Sequence, residues 1–562
     1  MKRLNKDILS LAVPSILANI TVPLVGMADI AVAGHLGAAA SSPASGSAAA
    51  LIGGITIGTM LFDLLYWNFA FLRSGTGGLT AQAYGRLTAV MPGPTPVMPG
   101  GSPVMPGSDR ASHAVLEIRA LLLRALRIAV ISGLALIALQ WAFLWLAFIF
   151  VDCSPEVREL ATQYFKIRIW AAPATLSLFA FKGWFIGLQD TVRPMIAELL
   201  VNGLNIALSF GLGFGLCGLP HMGFAGVALG TVIAQWCGFT YAAIAARRRV
   251  ASLMDPTGNV APQFDKGKPD AQKQPFSCTQ ITSRSSQSTK SAIFVQPDDP
   301  GTSTADHVSS FTSDLAQSKG TTTTLEPQSP VQVQSTESDL AQESATTPSF
   351  FHLNRDLVLR SVGMISIYIG FTVISARYGD TLLAVSAILM KLLLVFSYFT
   401  DGFAYAGEAL TGRFIGAQDY DGVHATIRGT FLWGAVVTAL FMLVYGFGGT
   451  PLLHLMTSDA GVIEAGRQFL PWLLLMPLIG VPAFLWDGIL IGATATSDLR
   501  NSVLWSAAGF FGFWFIGLAL LPLFTGTPLT NTAAIHLLLA AYFVHLAIRS
   551  LYLTLRSRKI LG

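Results

Sequence analysis

The sequence predicts an all-α polytopic membrane protein, with twelve transmembrane helices in two pseudo-symmetric six-helix lobes. Three observations predict it. Hydrophobic residues make up 52% of the 562 and charged residues 12%, about half the usual share for a soluble domain. With a mean hydropathy of +0.58, such a chain covers itself only if much of its surface faces lipid. Basic residues alternate with uncharged loops between the apolar runs, and short motifs of the first half return in the second.

The expected spans, in order, are 8–35, 49–73, 119–150, 159–188, 194–216, 222–246, 354–377, 381–410, 427–456, 465–491, 500–523 and 531–555. Each is roughly 20 to 30 residues, enough to cross a bilayer with tilt. The first holds Pro14, Pro23 and Asp29 and is too long for a signal-peptide core, so it reads as an uncleaved span. Between the first two spans lies a short Ala/Ser insert, 38–48. After the second, residues 87–112 contain VMPG three times, beginning at Val90, Val97 and Val104, and this Pro/Gly content predicts a non-helical loop. Residues 250–352 are rich in Ser, Thr, Gln, Asp and Pro and poor in aromatics, so a disordered cytoplasmic linker is expected. The domain plan is then a first lobe over 1–249, the linker, and a second lobe over 353–562.

The charge pattern orients the spans. Lys2, Arg3 and Lys6 precede the first; Arg86, Arg110, Arg119, Arg124 and Arg127 follow the second. Arg247, Arg248 and Arg249 follow the sixth; Arg413 and Arg428 lie between the eighth and ninth; Arg549, Arg556, Arg558 and Lys559 come last. The loops near 38, 218 and 527 carry almost no charge. This positive-inside alternation puts both termini in the cytoplasm and demands an even number of spans. A net charge of +4 is too small to suggest nucleic acid. Cys153, Cys217, Cys237 and Cys278 show no metal-ligand spacing, and no disulfide follows from them.

An internal repeat supports the two-lobe plan. Leu79-Thr80 in GGLTAQAYG and Leu410-Thr411 in EALTGRFIG stand 331 apart. Gly183 and Gly187 in KGWFIG stand 305 from Gly488 and Gly492 in DGILIG. The difference, 26, is the length of the 87–112 insert. Halves of six spans share one orientation, and such parallel repeats form two lobes around a central cleft.

Ionisable residues inside spans cost about 2.5–3.5 kcal/mol each on insertion scales, so each needs a reason. Asp29 is the acid of the first span's membrane portion, six residues after Pro23. It reads as a coupling acid, or as a structural acid paired with a cation. In the fifth span Glu198, Asn202, Asn205 and Ser209 share a helical face, either as a polar cavity wall or as interhelical hydrogen-bond glue. Lys182 supplies a cation for Asp29 or snorkels to the interface. Asp63, Tyr66 and Arg73 align on the second span, with Arg73 an interfacial anchor; Thr231 and Gln235 share a face of the sixth. The second lobe has its own stripe, Lys391, Tyr398, Asp401, Tyr405 and Glu408, with Lys391 and Asp401 too far apart for a direct pair. Asp487 is the repeat counterpart of Lys182, which suggests a latch between lobes. Trp67, Trp170, Trp184 and Trp486 are candidates to line a cleft. No GxSxG, HExxH or P-loop is present, so an enzyme is not expected.

The run LAVPSILANITVPLVGMADIAVAGHLG (11–37) resembles the first helix of the multidrug and toxic compound extrusion (MATE) family, and is most similar to its DNA-damage-inducible-protein-F-like branch. FLRSGTGGLTAQAYG (71–85), KGWFIGLQDTVRPM (182–195), GVALGTVIAQ (226–235) and DGFAYAGEALTGRFIGAQ (401–418) extend the resemblance through both lobes. It implies a V-shaped cleft and an antiporter exporting cationic or amphipathic compounds, coupled to inward H+ or Na+ flow and without another cofactor. It also implies Asp29 as the coupling residue and an aspartate where this chain has Ser209, four residues after Asn205. Loss of that carboxylate weakens a Na+ site and leans the coupling towards H+. A bilayer, small organic substrates and a monomer in the bacterial inner membrane complete the expectation. The alternatives are a lipid or lipid-linked-sugar flippase of the related superfamily, against which the mixture of acids and bases argues, and a membrane scaffold acting through its linker.

Overall fold

A computed structural model of the chain describes residues 2–39, 48–90, 107–151, 153–254, 350–457, 460–526 and 528–560. Among the described residues every regular element is helical, and twelve helical stretches are long and apolar enough to cross a membrane. The first half holds α1 (Lys2–Ala39), α2 (Ala48–Trp67), α3 (Phe71–Val90), α4 (Gly107–Ala138), α5 (Gln140–Phe150), α6 (Pro155–Arg168), α7 (Ala172–Gly187), α8 (Val192–Phe214) and α9 (Gly223–Met254). The second half holds α10 (Phe350–Ser375), α11 (Asp380–Gly416), α12 (Tyr420–Met456), α13 (Ala460–Arg467), α14 (Leu470–Gly492), α15 (Thr496–Thr525) and α16 (Asn531–Ile560).

Local chemistry explains several ends. Ser154 caps α6, its Oγ accepting from the Val157 N–H at 3.4 Å, with Pro155 in the first turn. Asp419 caps α12 by accepting from the Gly422 N–H at 2.8 Å. Gly215 ends α8 at φ 70°, a left-handed conformation that glycine adopts without a steric penalty.

Three expected boundaries move. The second span runs through Ala89, broken only by a turn over 68–70. Its Ser/Gly/Thr-rich half reads as loop by hydropathy, yet Ser74 to Ala81 are all buried, because small side chains let neighbouring helices approach. The third span begins earlier and ends at Ala138, with α5 a separate helix after a turn at Leu139. The predicted non-helical stretch 87–112 and linker 250–352 are helical at their edges, through Val90, from Gly107, through Met254 and from Phe350; the rest of both lies outside the described residues, as do Val97, Val104, Cys278 and most of the 38–48 insert.

Exposed apolar side chains such as Trp141, Trp145, Phe447 and Phe524 mark a surface suited to lipid rather than water. One buried cluster joins α2, α6, α7 and α9 through Phe62, Tyr164, Phe165, Leu176 and Val227. Another, centred on Phe396, Phe441 and Phe510 of the second half, takes in Ile8 and Leu11 of α1. The start of α1 is therefore part of the second half's core.

The repeat glycines sit where helices touch backbone to backbone. A methyl group on Gly183 would strike the Arg73 carbonyl, and one on Gly488 would strike that of Ala404. A methyl on Gly187 would meet the Gly77 carbonyl, and one on Gly492 that of Glu408. The α3–α7 crossing is thus repeated as α11–α14. Between the halves, Gly85 of α3 lies against the Arg413 carbonyl and Gly416 of α11 against that of Gln82, the same contact made in both directions.

Candidate functional site

Inside the first half, four side chains from three helices form one hydrogen-bonded chain. Asp29 of α1 is buried and accepts from Ser209 Oγ of α8 at 3.0 Å. Ser209 Oγ also stands 3.2 Å from Asn205 Oδ1, one turn earlier. Asn205 Nδ2 donates to Thr231 Oγ1 of α9 at 3.0 Å, and Thr231 Oγ1 donates to the Val227 carbonyl at 3.3 Å. The 4-residue spacing of Asn205 and Ser209 stacks them on one face of α8, and Gly230 beside Ser209 lets α9 approach. Gln235, one turn beyond Thr231, is half-buried and takes no part in the chain.

The cation acting on Asp29 is Arg168 of α6, not Lys182. Arg168 also acts on Asp63, donates to the Tyr164 hydroxyl at 3.1 Å and stacks over the Phe62 ring at 4.9 Å. Lys182 of α7 instead binds Glu198 of α8, at 2.8 Å to Oε2 and 3.1 Å to Oε1, and donates to Asn19 Oδ1 of α1 at 3.4 Å. Asn202 Nδ2 donates to Thr21 Oγ1 at 2.6 Å. The α8 stripe therefore reads along α1, with Asn202 and Ser209 meeting Thr21 and Asp29 directly and Glu198 joined to Asn19 through Lys182. Interhelical bonding and a polar site are the same feature here.

On the second span the expected alignment fails, because the turn over 68–70 separates Asp63 and Tyr66 on α2 from Arg73 on α3. Asp63 is exposed, within electrostatic range of Lys391 and Tyr398 of α11. Arg73 is no interfacial anchor. It crosses to the second half and pairs with Glu408 Oε2 at 3.0 Å, a residue with 0% exposure. Its guanidinium also lies 4.5 Å from the centre of the Tyr405 ring, which Lys182 approaches at 5.6 Å. Asp401, between Tyr398 and Tyr405 on α11, makes no hydrogen bond or ion pair among the described residues, while Lys391 is exposed. The latch between Lys182 and Asp487 does not form. Each is taken within its own half, Lys182 by Glu198 and Asp487 by Arg360 and Arg549. Arg549, read as a charge at the membrane edge, is 1% exposed and inside the helix packing.

Besides the Arg73–Glu408 pair, polar bonds that join the halves flank the Gly85–Gly416 contact. Gln82 Nε2 donates to the Gly492 carbonyl at 3.0 Å and to Thr494 Oγ1 at 3.3 Å. Arg413 Nη1 donates to Gln189 Oε1 at 3.2 Å. Gln82 and Arg413 are equivalent by the repeat, and so are Gln189 and Thr494. Gln189 and Thr494 both have positive φ, 60° and 56°, although neither is glycine. A side chain held in that strained conformation at both equivalent turns is one that the interface uses.

Two of the tryptophans belong to the core. Trp184 is fully buried with Nε1 on the Ile118 carbonyl at 3.0 Å, and Trp486 donates to Thr554 Oγ1 at 2.9 Å. Trp170 is exposed, and Trp67 meets Tyr368 of α10 edge to face at 5.4 Å, beside a groove of about 470 Å³ lined by Leu64, Asn68, Ile365 and Ile369. Arg168 and Arg360 were not singled out from the sequence, although both lie inside expected spans, where an ionisable side chain is itself a signal.

A family model described as MatE matches residues 111–210 and 357–510. The DNA damage-inducible protein F of Escherichia coli (strain K12) is 29% identical over 506 residues, 90% of this chain and 84% of that protein. A probable multidrug resistance protein NorM of Thermotoga maritima is 26% identical over 235 residues, 42% of this chain and 43% of its own. Among solved structures, a MATE crystal structure in the bent conformation superposes with a TM-score of 0.64 at 14% identity, covering 99% of this chain and 96% of that one. An outward-facing multidrug resistance MATE transporter of the MOP superfamily gives 0.63 at 14% identity, with the same coverage.

Proposed function

The chain belongs to the MATE family, and on that premise we propose that it is a secondary antiporter exporting cationic or amphipathic small molecules in exchange for inward-moving H+. The observation that carries the reading is the buried chain Asp29–Ser209–Asn205–Thr231. An ionised Asp29 only accepts hydrogen bonds, so it draws the Ser209 proton to itself. A protonated Asp29 can donate, and the Ser209 proton is then free to turn to Asn205. Loading one proton thus reverses the hydrogen bond between α1 and α8 and turns the Ser209 hydroxyl to Asn205, which carries the bond to α9, and so shifts the balance between two packings of those helices. Ser209 stands where the family resemblance implies a second carboxylate, and its loss weakens a Na+ site, which leans the coupling towards H+.

The positive-inside pattern supports cytoplasmic termini and an inner-membrane location. On that orientation the Gly85–Gly416 contact and its flanking bonds close the cytoplasmic side. Substrate would leave from a cleft open on the other side, and rocking of the two halves would exchange access. The transporter needs no cofactor besides its coupling ion and works as a monomer.

The test is efflux of ethidium from cells expressing wild type or Asp29→Asn, under an imposed pH gradient and then a Na+ gradient. The proposal expects efflux that follows the pH gradient and falls to the background of empty cells in the mutant. Unchanged efflux in Asp29→Asn removes that residue from the mechanism, and absence of efflux in the wild type moves the search to lipid substrates.

A further inference from the structure

We propose that Arg360, Arg549 and Asp487 form a buried binding site for a small monovalent anion, a halide or a carboxylate group, in the second half of the chain. Arg360 of α10 and Arg549 of α16 both donate to the same oxygen, Asp487 Oδ2 on α14. Two guanidinium groups therefore share one carboxylate oxygen, and most of their N–H donors are left without an acceptor. Four nitrogen atoms here are buried and unpartnered among the described residues, Arg360 Nε, Arg549 Nε and Nη1 and, one turn from Arg549, His545 Nδ1, as is the second oxygen of the shared carboxylate, Asp487 Oδ1. Arg549 and His545 are 1% and 2% exposed. Buried polar groups are retained when they are hydrogen-bonded, so these guanidinium donors are short of an acceptor.

Two further acids of α11 lie within electrostatic range, Asp401 of both arginines and Glu408 of Arg360, but neither bonds to them. The free guanidinium N–H groups are donors that suit a carboxylate oxygen or a halide. Metal cations are repelled by the same pair of charges. The site is separate from Asp29 in helix and in half, so it stands whether or not the transport reading does.

The experiment uses the full chain in detergent micelles. Its unfolding temperature is followed at constant ionic strength while sodium isethionate is replaced by sodium chloride or by sodium formate. A saturable rise is expected in the wild type. A rise with chloride alone assigns a halide, and a rise with formate assigns a carboxylate group. Arg360→Gln leaves one cation facing one carboxylate and is expected to abolish the rise. Asp487→Asn frees both guanidinium groups and is expected to lower the half-saturating concentration by about tenfold or more. No saturable rise in the wild type, or an equal rise in Arg360→Gln, overturns the proposal. Should Asp487→Asn fail to fold, the wild type and Arg360→Gln still decide it.

Discussion

Ser209 carries one hydroxyl proton and faces two acceptors, Asp29 Oδ1 and Asn205 Oδ1. Ser209→Ala deletes both bonds and leaves the buried carboxylate without its donor. It is expected to destabilise the fold by about 1 kcal/mol, measured by thermal unfolding in micelles, since hydrogen bonds between membrane helices are individually modest. The Arg73–Glu408 pair should behave differently, because Glu408 has no exposure at all. Arg73→Met strands a buried charge and is expected to cost about 3–5 kcal/mol, whereas Arg73→Met combined with Glu408→Gln should recover much of that loss. A double-mutant cycle on the same unfolding assay reads the difference. At this scale the sequence was informative where spacing did the work. Asn205 and Ser209 lie one helical turn apart, so their shared face was visible before any fold. Which cation faces Asp29 was not visible, because Arg168 arrives from α6 and the sequence has no register between separate helices.

Crossings between elements depend on small residues rather than on apolar ones. Gly85 of α3 gives way to the backbone of α11 and its equivalent Gly416 to that of α3, while Gly183 and Gly187 of α7 and Gly488 and Gly492 of α14 do the same for α3 and α11. Gly85→Leu would force a side chain into the Arg413 carbonyl and push α3 from α11. Thr80 is fully buried. In a Thr80→Cys background, Gly85→Leu is expected to raise the rate of thiol labelling several-fold, since overpacking opens an interface it cannot fill. The same physics explains the misplaced end of the second span. Hydropathy scores Gly, Ser and Thr as loop-forming, although inside a membrane protein they are what lets two helices touch.

For the whole molecule, the transport reading requires only that the two helical halves rock about their shared contact. The polar stretch between Met254 and Phe350 is long and poor in residues that form cores. Excision of residues 270–335 is therefore expected to leave ethidium efflux within about twofold of wild type, since a segment of core-poor composition tolerates cuts. Loss of efflux on that excision would favour a scaffold role for the segment. Across the molecule, charge is distributed by half. Acids and bases of α7, α8, α10, α14 and α16 pair within their own halves, and Arg73 is the ionic bridge from α3 to α11.

The number of spans, the two-fold repeat and the polar face of α8 were legible in the chain, because bilayer thickness sets a span's length and helical periodicity sets its faces. The repeat glycines were legible as positions and became intelligible as crossings. Partner choice was not legible. Lys182 and Asp487 occupy equivalent places with opposite charges, which suggested that they meet; folding instead gives Lys182 to Glu198 and Asp487 to two arginines. The reason is range. In a low-dielectric interior an ion pair forms with whichever opposite charge packing brings within a few ångströms, and that distance belongs to the arrangement of helices rather than to any stretch of sequence.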